Sequence, residues 1–410
     1  MAKSKIYAGL EIGTSTICVV VGEVSGNGSI KILGIGQAPS RGVRKGEIVD
    51  FETAQTCLND ALVEAEEKSD VMISNVYLAI SGAHIESLCN KGSIRIPVTD
   101  EVSEITEEDL DEVREIARDI KLPSENVFLH SIIRDYYVDG QEKVQNPVGR
   151  QAEVVEADYH IIHGIKTRLQ NTIRCVREIP LTVEEVVFSP IAAAQVMLSR
   201  EHKDRGALLI DIGGGVTDYV MYSGGSVAQS GCIGVGGDHI TNDISVVMKI
   251  PITRSEKLKV EHGGALIEES ASDSVVLEDD PLSSSFEIDK EMLNQIINAR
   301  ATELFEQLKE RITKHDDLNT LGAGVFLTGG ASKLKDIDKL AEQILGLPVS
   351  LARINSMSGP AAPFENPQLA TSMGLIRYAQ MIDSDKSDSD KLITKIGKKL
   401  GGIFGGANLE

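Results

Sequence analysis

Two stretches of the chain share one pattern of apolar and polar positions. "LLIDIGGGVTDYVM", residues 208–221, is an apolar run that ends on a carboxylate, followed by three glycines and a second apolar run. "IYAGLEIGTSTICVVVGE", residues 6–23, repeats that order with Glu11 in place of Asp211. Each copy predicts a strand, a tight turn and a second strand, and a Gly-rich hairpin turn then leads to a third strand. Because the copies lie 200 residues apart in a chain of 410, the pattern indicates two duplicated α/β domains, each opening with an antiparallel meander.

The turns between the paired strands are typical of phosphate binding. Glycine lacks Cβ, so backbone N–H groups can approach an anion closely. The carboxylates of Glu11 and Asp211 at the strand ends can hold a hydrated Mg²⁺ or orient a water. A plain Gly-rich hairpin turn is the alternative for a single copy, and the duplicate argues against it. The predicted phosphate-binding residues are Gly13, Thr14, Ser15, Thr16, Gly213, Gly214, Gly215 and Thr217.

Two further glycine turns follow in the second half of the chain. In "CIGVGGDHITNDI" (232–244), Gly236 and Gly237 end a strand, and Asp238 is expected to cap a helix over 239–248. In "AGVFLTGGASKLKDIDKLAEQIL" (323–345), Gly329, Gly330 and Ala331 lie between a strand and a predicted helix. A helix N-terminus at this turn would suit an adenosine or an α-phosphate. A helix-cap loop and simple close packing remain the alternative explanations for these two turns.

Composition narrows the classes of partner. A formal net charge of −21, with 41 basic and 62 acidic residues and no Trp, argues against nucleic-acid binding. The five cysteines show no CxxC spacing, which fits a reducing cytoplasm. We find no signal-peptide core and no apolar run of membrane-spanning length, so a cytoplasmic protein is expected.

The end of the chain changes character at residue 383. Residues 383–390 are Ser, Asp and one Lys, which predicts a solvated linker. A basic amphipathic helix is predicted over 391–406, suited to lie on an anionic membrane surface. A terminal helix that docks on the body, or that binds a partner, is the alternative. The residues predicted to meet the membrane are Leu392, Lys395, Ile396, Lys399, Leu400, Ile403 and Phe404.

The order of these pieces resembles the actin-like ATPase superfamily. A phosphate turn, the connecting helix in "VVFSPIAAAQVML" (186–198), a second phosphate turn, an adenosine turn and a last helix in "NPQLATSMGLIRYA" (366–379) follow one another. Several stretches, including "GVGGDHITNDIS", "TRSEKLKVEHGGA" and "FLTGGASKL", are similar to the bacterial FtsA cell-division family. The resemblance implies an α/β actin-like two-domain ATPase fold with duplicated subdomains, a relocated small subdomain and a C-terminal amphipathic helix. It also implies that Glu256 and Lys259 lie near the adenosine.

The same resemblance implies a division into subdomains. Subdomain 1A covers 1–84 and 165–205, and the inserted small subdomain 1C covers 85–164. Subdomain 2A covers 206–245 and 315–382, and subdomain 2B covers 246–314. Arg300 matches an arginine in the family's subdomain 2B, which receives the C-terminal peptide of the tubulin-like division protein FtsZ. An ordinary surface arginine is the alternative for this residue.

The implied function is an adaptor that binds ATP and Mg²⁺, polymerises, and tethers FtsZ filaments to the cytoplasmic face of the inner membrane at the division site. Other division proteins are expected as later partners. A small-molecule kinase of the same superfamily is the alternative. Glu11 stands where the superfamily usually has Asp, so its carboxylate lies one methylene further out. Catalysis tolerates little misplacement, so we expect slow ATP hydrolysis at most.

Overall fold

The computed structural model describes residues 4–97, 104–140, 142–144, 146–267, 274–277, 286–314, 318–354, 357–359 and 362–388. The chain divides into two compact units. Unit 1 comprises Met1–Ile80, Ile165–Met197 and Arg353–Glu410, and unit 2 comprises Ser81–Gly164 and Leu198–Ala352.

Strands and helices alternate along both units. The strands are β1 (Lys5–Ile12), β2 (Thr16–Val24), β3 (Ile30–Pro39), β4 (Val43–Arg44), β5 (Glu47–Ile48), β6 (Asn75–Ile80), β7 (Glu86–Arg95), β8 (Asn126–Val138), β9 (Glu142–Val144), β10 (Val154–Ile165), β11 (Thr182–Phe188), β12 (Ala207–Ile212), β13 (Thr217–Ser223), β14 (Ser226–Ile233), β15 (Ser274–Leu277), β16 (Phe286–Asp289), β17 (Gly324–Thr328), β18 (Val349–Leu351) and β19 (Met357–Ser358). The α-helices are α1 (Phe51–Ser69), α2 (Glu107–Arg118), α3 (Lys166–Arg177), α4 (Ser189–Met197), α5 (Arg200–Arg205), α6 (Gly237–Met248), α7 (Ile252–His262), α8 (Lys290–Thr313), α9 (Ile337–Leu345) and α10 (Ala370–Asp388).

Unit 1 is built on a six-stranded sheet in the order β11-β6-β1-β2-β3-β19. The predicted meander is present, since β1, β2 and β3 are successive antiparallel neighbours, and β6 lies parallel to β1. Almost every residue of β2 is buried, which means that both faces of the sheet are covered. Helix α1 covers one face so closely that a Cβ at Gly36 would lie 1.9 Å from the Ala61 carbonyl oxygen. Glycine is therefore required at that crossing.

Unit 2 repeats this arrangement in a five-stranded sheet, in the order β14-β13-β12-β17-β18. The second predicted meander is present, and β17 lies parallel to β12 as β6 does to β1. The apolar side of this sheet, with Leu208 and Ile210, packs on the second half of α8. The first half of α8 instead packs against α6 and α7 through Leu293 and Ile297. Helix α8 therefore joins two hydrophobic cores, and both include residues from the range predicted as subdomain 2B.

The segment predicted as the inserted subdomain forms a four-stranded sheet in the order β7-β10-β8-β9, with α2 on one face. The side chain of Thr106 caps α2 within a capping box. Leu110, Val113 and Ala117 form the buried face of the helix, and Ile116 is 41% exposed. The Ser87 hydroxyl donates to the Ser230 carbonyl of β14 at 2.6 Å, so the insert packs on the second half of the chain.

The last helix extends beyond its predicted end. Helix α10 continues to Asp388 and so takes in residues 383–388 of the predicted linker. No Gly or Pro interrupts the chain between Gly374 and Asp388, so nothing in the sequence terminates the helix earlier. The amphipathic helix predicted over 391–406, from Leu392 to Phe404, lies outside the described residues. Among the described helices, none combines the length and the apolarity needed to cross a membrane.

Candidate functional site

The two predicted phosphate turns have the same backbone construction. The Gly13 N–H donates to the Thr16 carbonyl at 3.1 Å, and the Gly213 N–H donates to the Val216 carbonyl at 3.0 Å. In both units the carboxylate residue lies near the end of the first strand of the meander, with Glu11 opposite Cys18 and Asp211 opposite Asp218 on the second strand. The duplication that the sequence indicates therefore extends to individual hydrogen bonds.

In unit 1, hydrogen bonds to neighbouring loops hold the first turn. The Thr14 hydroxyl accepts from the Gly46 N–H at 3.0 Å, and the Ser15 carbonyl accepts from the Ser40 N–H at 3.0 Å. The Glu11 carboxylate accepts a hydrogen bond from Ser372 Oγ at 3.1 Å. Sequence reasoning did not single out Ser372, because no local motif connects it with a residue 361 positions away.

Cys18 lies beside this carboxylate and keeps its proton. Burial raises the pKa of the Cys18 thiol to about 12, and the negative charge of Glu11 adds to that increase. A hydrogen bond with Ser372 opposes that increase. Burial has the larger effect, so the thiol stays protonated at neutral pH.

In unit 2, the second turn packs directly on the start of α6. The N–H groups of Gly237 and Asp238 donate to the carbonyls of Gly213 and Gly214 at 2.9 and 2.8 Å. A Cβ at Gly236 would lie 2.5 Å from the Gly214 oxygen, so only glycine fits there. The carbonyls of the turn are thus occupied by α6. Within the described part of the chain, the N–H groups of Gly214 and Gly215 have no acceptor, and they are donors available to an anion.

Two predicted residues of this region have different local roles from those expected. The Thr217 hydroxyl is buried and donates to the Val235 carbonyl at 2.8 Å, which fixes the turn against the loop before α6. Asp238 is not the cap of α6. The cap residue is Gly236, and the exposed Asp238 lies within the first turn, where a carboxylate is favourable near the helix N-terminus.

Lys259 and Glu256 connect α7 to the same place. The buried Lys259 ammonium donates to the Gly237 carbonyl at 3.1 Å, to Thr241 Oγ1 at 2.8 Å and to Glu256 Oε2 at 2.7 Å. These three acceptors match the three N–H bonds of an ammonium group, so the buried charge is fully satisfied. Glu256 is half exposed. Lys259 therefore fixes α6 relative to α7, and Glu256 presents a carboxylate at the surface.

The third turn completes the cluster. Gly329 has a φ of +87°, and a Cβ there would lie 2.2 Å from Asp211 Oδ1, so glycine is required on both counts. Gly330 and Ala331 belong to a short 3-10 turn over Gly330–Lys333, and α9 begins only at Ile337. The expectation of an α-helix N-terminus at this turn is therefore wrong. Ala331 still lies close to Gly237, since its Cβ is 3.2 Å from where a Gly237 Cβ would be.

The unit 2 cluster thus joins residues that are far apart in sequence. Asp211 contacts the Gly329 turn, the second turn contacts the start of α6, and Lys259 holds both α6 and Glu256. We call this set of contacts the unit 2 turn cluster. It consists of Asp211, Gly213, Gly214, Gly215, Thr217, Gly236, Gly237, Asp238, Glu256, Lys259, Gly329, Gly330 and Ala331.

Asp218 is a feature that the sequence analysis passed over. Its side chain is buried, and the Ser81 hydroxyl donates to Oδ2 at 2.6 Å, while Oδ1 has no hydrogen-bond partner among the described residues. Burial raises the pKa of Asp218 to about 7, with Asp211 opposite adding to the increase and Ser81 opposing it. Its position two strand residues beyond the turn, in register with Asp211, is the signal that could have identified it.

Arg300 lies on α8, within a network of charges. Its guanidinium pairs with Asp243 of α6 at 2.6 Å and with Glu303 at 2.5 Å. The hydrogen bond to Asp243 raises the pKa of Arg300 further above its usual value. Any peptide carboxylate that binds Arg300 must therefore compete with two resident carboxylates.

Metal ligands are sparse in the described residues. No group of three or more His, Cys, Asp or Glu side chains is arranged there to hold a metal ion. A hydrated Mg²⁺ needs only one or two carboxylates when phosphates supply other ligands. The residues present therefore fit a magnesium–phosphate group and not an all-protein metal cage.

Comparison with known proteins agrees with the resemblance seen in the sequence. The profile of the family described as "Cell division protein FtsA" matches residues 208–374, and the profile described as "SHS2 domain inserted in FTSA" matches residues 82–163. The Cell division protein FtsA of Borreliella burgdorferi is 34% identical over 406 residues, which are 97% of this chain and 98% of that protein. The Pseudomonas aeruginosa FtsA is 31% identical over 382 residues, covering 93% and 91%.

Solved structures show the same fold at low sequence identity. The PilM-PilN type IV pilus biogenesis complex gives a TM-score of 0.62 at 18% identity, over 91% of this chain and 98% of that one. MreB5 of Spiroplasma citri bound to ADP gives 0.53 at 16% identity, over 94% and 99%. The MamK double helical filament gives 0.50 at 9% identity, over 92% and 98%. The actin-like α/β fold is therefore confirmed, and the chain belongs to the FtsA family of cell-division proteins.

Proposed function

We propose that the chain binds ATP with Mg²⁺ and acts as an actin-like adaptor that polymerises and tethers FtsZ filaments to the inner membrane. The observation that carries the nucleotide proposal is the unit 2 turn cluster. Three glycine turns from separate parts of the sequence lie together there, and close contacts leave no room for a side chain at Gly236 and Gly329. Small residues and available N–H donors are the requirements of a phosphate site.

Each part of the cluster has a proposed role toward the nucleotide. The N–H groups of Gly214 and Gly215 would donate to phosphate oxygens, and the Gly329 turn would pack against the adenosine. Glu256 uses Oε2 for Lys259, which leaves its other oxygen for a ribose hydroxyl. The Gly13–Thr16 turn of unit 1 has the same construction and is proposed to serve phosphates as well. Solved MreB5 of Spiroplasma citri, bound to ADP and to AMPPNP, supports a nucleotide as the ligand class.

Equilibrium dialysis of the purified full chain against labelled ATP, with and without Mg²⁺, tests this proposal. We expect saturation at one nucleotide per chain and competition by ADP. Absence of saturable binding in both buffers would contradict it.

Asp211 would hold a hydrated Mg²⁺ through water, and Glu11 has the corresponding proposed role at the turn of unit 1. Asp218, in register with Asp211, is proposed as the proton acceptor. A carboxyl with a pKa near 7 exchanges a proton readily at neutral pH. Because Glu11 carries an extra methylene, turnover is expected to be slow. Phosphate release should rise in Glu11→Asp and fall in Asp218→Asn, and unchanged release in both variants would remove this proposal.

Arg300 is proposed to receive carboxylates of the FtsZ C-terminal peptide. Because Asp243 competes for the guanidinium, Asp243→Asn should strengthen peptide binding and Arg300→Gln should weaken it. Fluorescence anisotropy of a labelled peptide measures both effects. If the two variants change affinity in the same direction, Arg300 acts only as a brace between α6 and α8.

Polymerisation and membrane attachment complete the proposed function. The resemblance of the fold to the MamK double helical filament supports self-association. The proposed anchor is the basic amphipathic segment 391–406, and recruitment of later division proteins at the division site would follow. Electron microscopy of the protein on anionic vesicles with ATP should show filaments on the lipid. The small-molecule kinase alternative rested on the superfamily alone, and membership of the FtsA family removes that reason.

A further inference from the structure

We propose that Ser372 is a positioning residue that fixes the Glu11 carboxylate for the metal-bound nucleotide. This inference rests on the nucleotide binding proposed above. It starts from the contact between Ser372 Oγ and Glu11 Oε2 at 3.1 Å, made by a serine that is fully buried. Since Glu11 has one more rotatable bond than an aspartate, its carboxylate has more positions to sample, and a fixed donor restricts them.

The donor is fixed because α10 cannot slide along the strand that carries Glu11. A Cβ at Gly9 would lie 2.5 Å from the Ser372 carbonyl oxygen and 2.9 Å from Leu375 Cβ, so the helix touches the backbone of β1. A Cβ at Gly22 of β2 would lie 2.8 Å from Ile376. These contacts set the distance between α10 and the sheet.

The far end of α10 is attached to the same strand. The Asp383 carboxylate accepts from Lys5 Nζ at 2.9 Å and from the Tyr7 hydroxyl at 2.5 Å. The eleven residues from Ser372 to Asp383 rise about 16 Å as a helix, and the stretch of β1 from Glu11 back to Tyr7 and Lys5 spans about 13 to 20 Å. The two lengths match, so α10 lies antiparallel to β1 and is bound at both ends. Ser372 therefore faces Glu11 in a defined register.

The length of the side chain at position 11 sets the distance between its carboxylate and the Ser372 hydroxyl. A shorter Asp at position 11 would withdraw the carboxylate from this donor by about the length of one C–C bond, so Ser372 has this role only with Glu at that position.

A double-mutant cycle between Ser372→Ala and Glu11→Asp tests the proposal. The quantity measured is the ratio of ATP affinities in Mg²⁺ and in EDTA, by isothermal titration calorimetry on the full chain. A purely structural defect changes both affinities together, whereas a misplaced carboxylate changes the ratio. We expect Ser372→Ala to lower the ratio about tenfold, as for loss of a hydrogen bond to a charged group. In the Glu11→Asp background it should have no further effect.

Ser372→Thr keeps the hydroxyl and should retain the ratio of the parent. Ser372→Cys has nearly the volume of serine and should behave like Ser372→Ala, which keeps the test valid if alanine impairs folding. An unchanged ratio in both Ala and Cys variants, or an equal decrease in both position-11 backgrounds, would overturn the proposal. A parent that binds no ATP in either buffer would instead overturn the proposed function itself, and this inference with it.

Discussion

At the scale of single residues, the unit 2 turn cluster depends on positions where a side chain has no room. The available space differs from glycine to glycine. A Cβ at Gly213 would lie 3.2 Å from the Val216 oxygen, a contact that a shift of a few tenths of an ångström relieves. A Cβ at Gly329 would meet Asp211 at 2.2 Å and would also require an unfavourable positive φ. A substitution at Gly213 therefore tests ATP binding while the fold is kept. A substitution at Gly329 would disturb binding and folding together.

Gly213→Ala should weaken ATP binding at least tenfold while the fold is kept, because the methyl group narrows the turn where a phosphate approaches. Gly264→Ala is the matched control, since its Cβ would lie no closer than 3.6 Å to any other group. Equilibrium dialysis with ATP measures the affinities, and circular dichroism checks the fold. ATP affinity in Gly213→Ala equal to that of the control would exclude this turn as a phosphate site.

Lys259→Met should lower ATP affinity by about tenfold through the loss of the brace between α6 and α7. Methionine keeps the apolar stem but donates no hydrogen bonds to the Gly237 carbonyl, Thr241 or Glu256. We also expect a loss of stability of about 1.5 to 3 kcal/mol, typical of hydrogen bonds to a charged group. Lys257→Met, on the exposed side of the same helix, is the control. Equal affinities in the two variants would show that Lys259 does not support the site.

Asp218 should make the stability of unit 2 depend on pH. Between the ordinary pKa near 4 and the raised pKa of about 7, the folded protein holds a proton that the unfolded chain has released. Stability therefore falls as pH rises through this window and levels off above about 7. At about 1.4 kcal/mol per pKa unit, the full loss is on the order of 4 kcal/mol.

Asp218→Asn should remove this loss. Urea unfolding at pH 5, 6 and 8 should show the variant gaining stability over the parent as pH rises. The comparison with the parent is necessary because burial lowers the pKa of His160 to about 3 and that of His130 to about 4. These histidines give stability that is lost as pH falls below 6.5, a slope of opposite sign. A difference between variant and parent that does not change with pH would contradict the assignment.

At the scale of elements, the crossing of α4 and α10 brings the backbones of two helices of unit 1 into contact. A Cβ at Gly374 would lie 2.0 Å from the Ala192 carbonyl oxygen, so the two backbones touch. Gly374→Ala should therefore cost several kcal/mol or prevent folding of unit 1, since a carbonyl cannot move aside as a side chain can. Thermal unfolding measures the loss. Ala192→Gly should not rescue it because the clash is with the backbone, and a rescue would show that the crossing is looser than described.

The insert, residues 85–164, packs on a different half of the chain from the one that it interrupts in the sequence. It interrupts the first half of the chain, yet its strands β7 and β10 pack on β14 of the second half. His160 Nε2 lies 2.8 Å from the Ser230 hydroxyl, and both residues are buried. Deletion of the whole insert would uncover this polar surface of β14. Point changes on its solvent-facing side would leave this contact intact.

At the scale of the whole molecule, the net charge of −21 opposes attachment to an anionic membrane, so the proposed anchor, segment 391–406, would have to overcome it. At a Debye length of about 8 Å, repulsion from the body is screened over a short distance. Four lysines at about 1 kcal/mol each, with partial burial of five apolar side chains, would give weak attachment of one such segment. The proposed polymer would present many of these segments at once, and attachment would then become strong through effective concentration.

Truncation after Asp388 should release the protein from anionic vesicles while ATP binding and stability are kept. The truncation is placed after Asp388 and not after Asp383 because helix α10 continues to Asp388. In addition, the Asp383 carboxylate accepts hydrogen bonds from Lys5 and Tyr7. Phe404→Glu in the full chain should release it as well. Co-sedimentation with vesicles measures both. Persistent sedimentation of the truncated chain would show that another surface is the anchor.

The sequence by itself determined the parts of this protein whose physical cause is local. Apolar strands, glycine turns and the repeat of Glu11 and Asp211 were enough to place both meanders and the glycine turn after the first strand of each. Most of the residues in the unit 2 turn cluster were also named from motifs, because backbone approach to an anion requires glycine wherever it occurs. The local errors concern caps and ends, as with Asp238 and the turn after Gly330. There, contacts with distant backbone override local propensity.

Tertiary structure alone decided the contacts between segments that are remote in sequence. The bond from Ser372 to Glu11, the burial that raises the pKa of Asp218, and the three acceptors of Lys259 depend on how helices and sheets pack. Packing also decided that the insert belongs to unit 2 and that α8 contributes side chains to two hydrophobic cores. A sequence pattern records which face of an element is apolar, but it does not record which partner covers that face. Desolvation and hydrogen-bond partners are set only when the partner is in place.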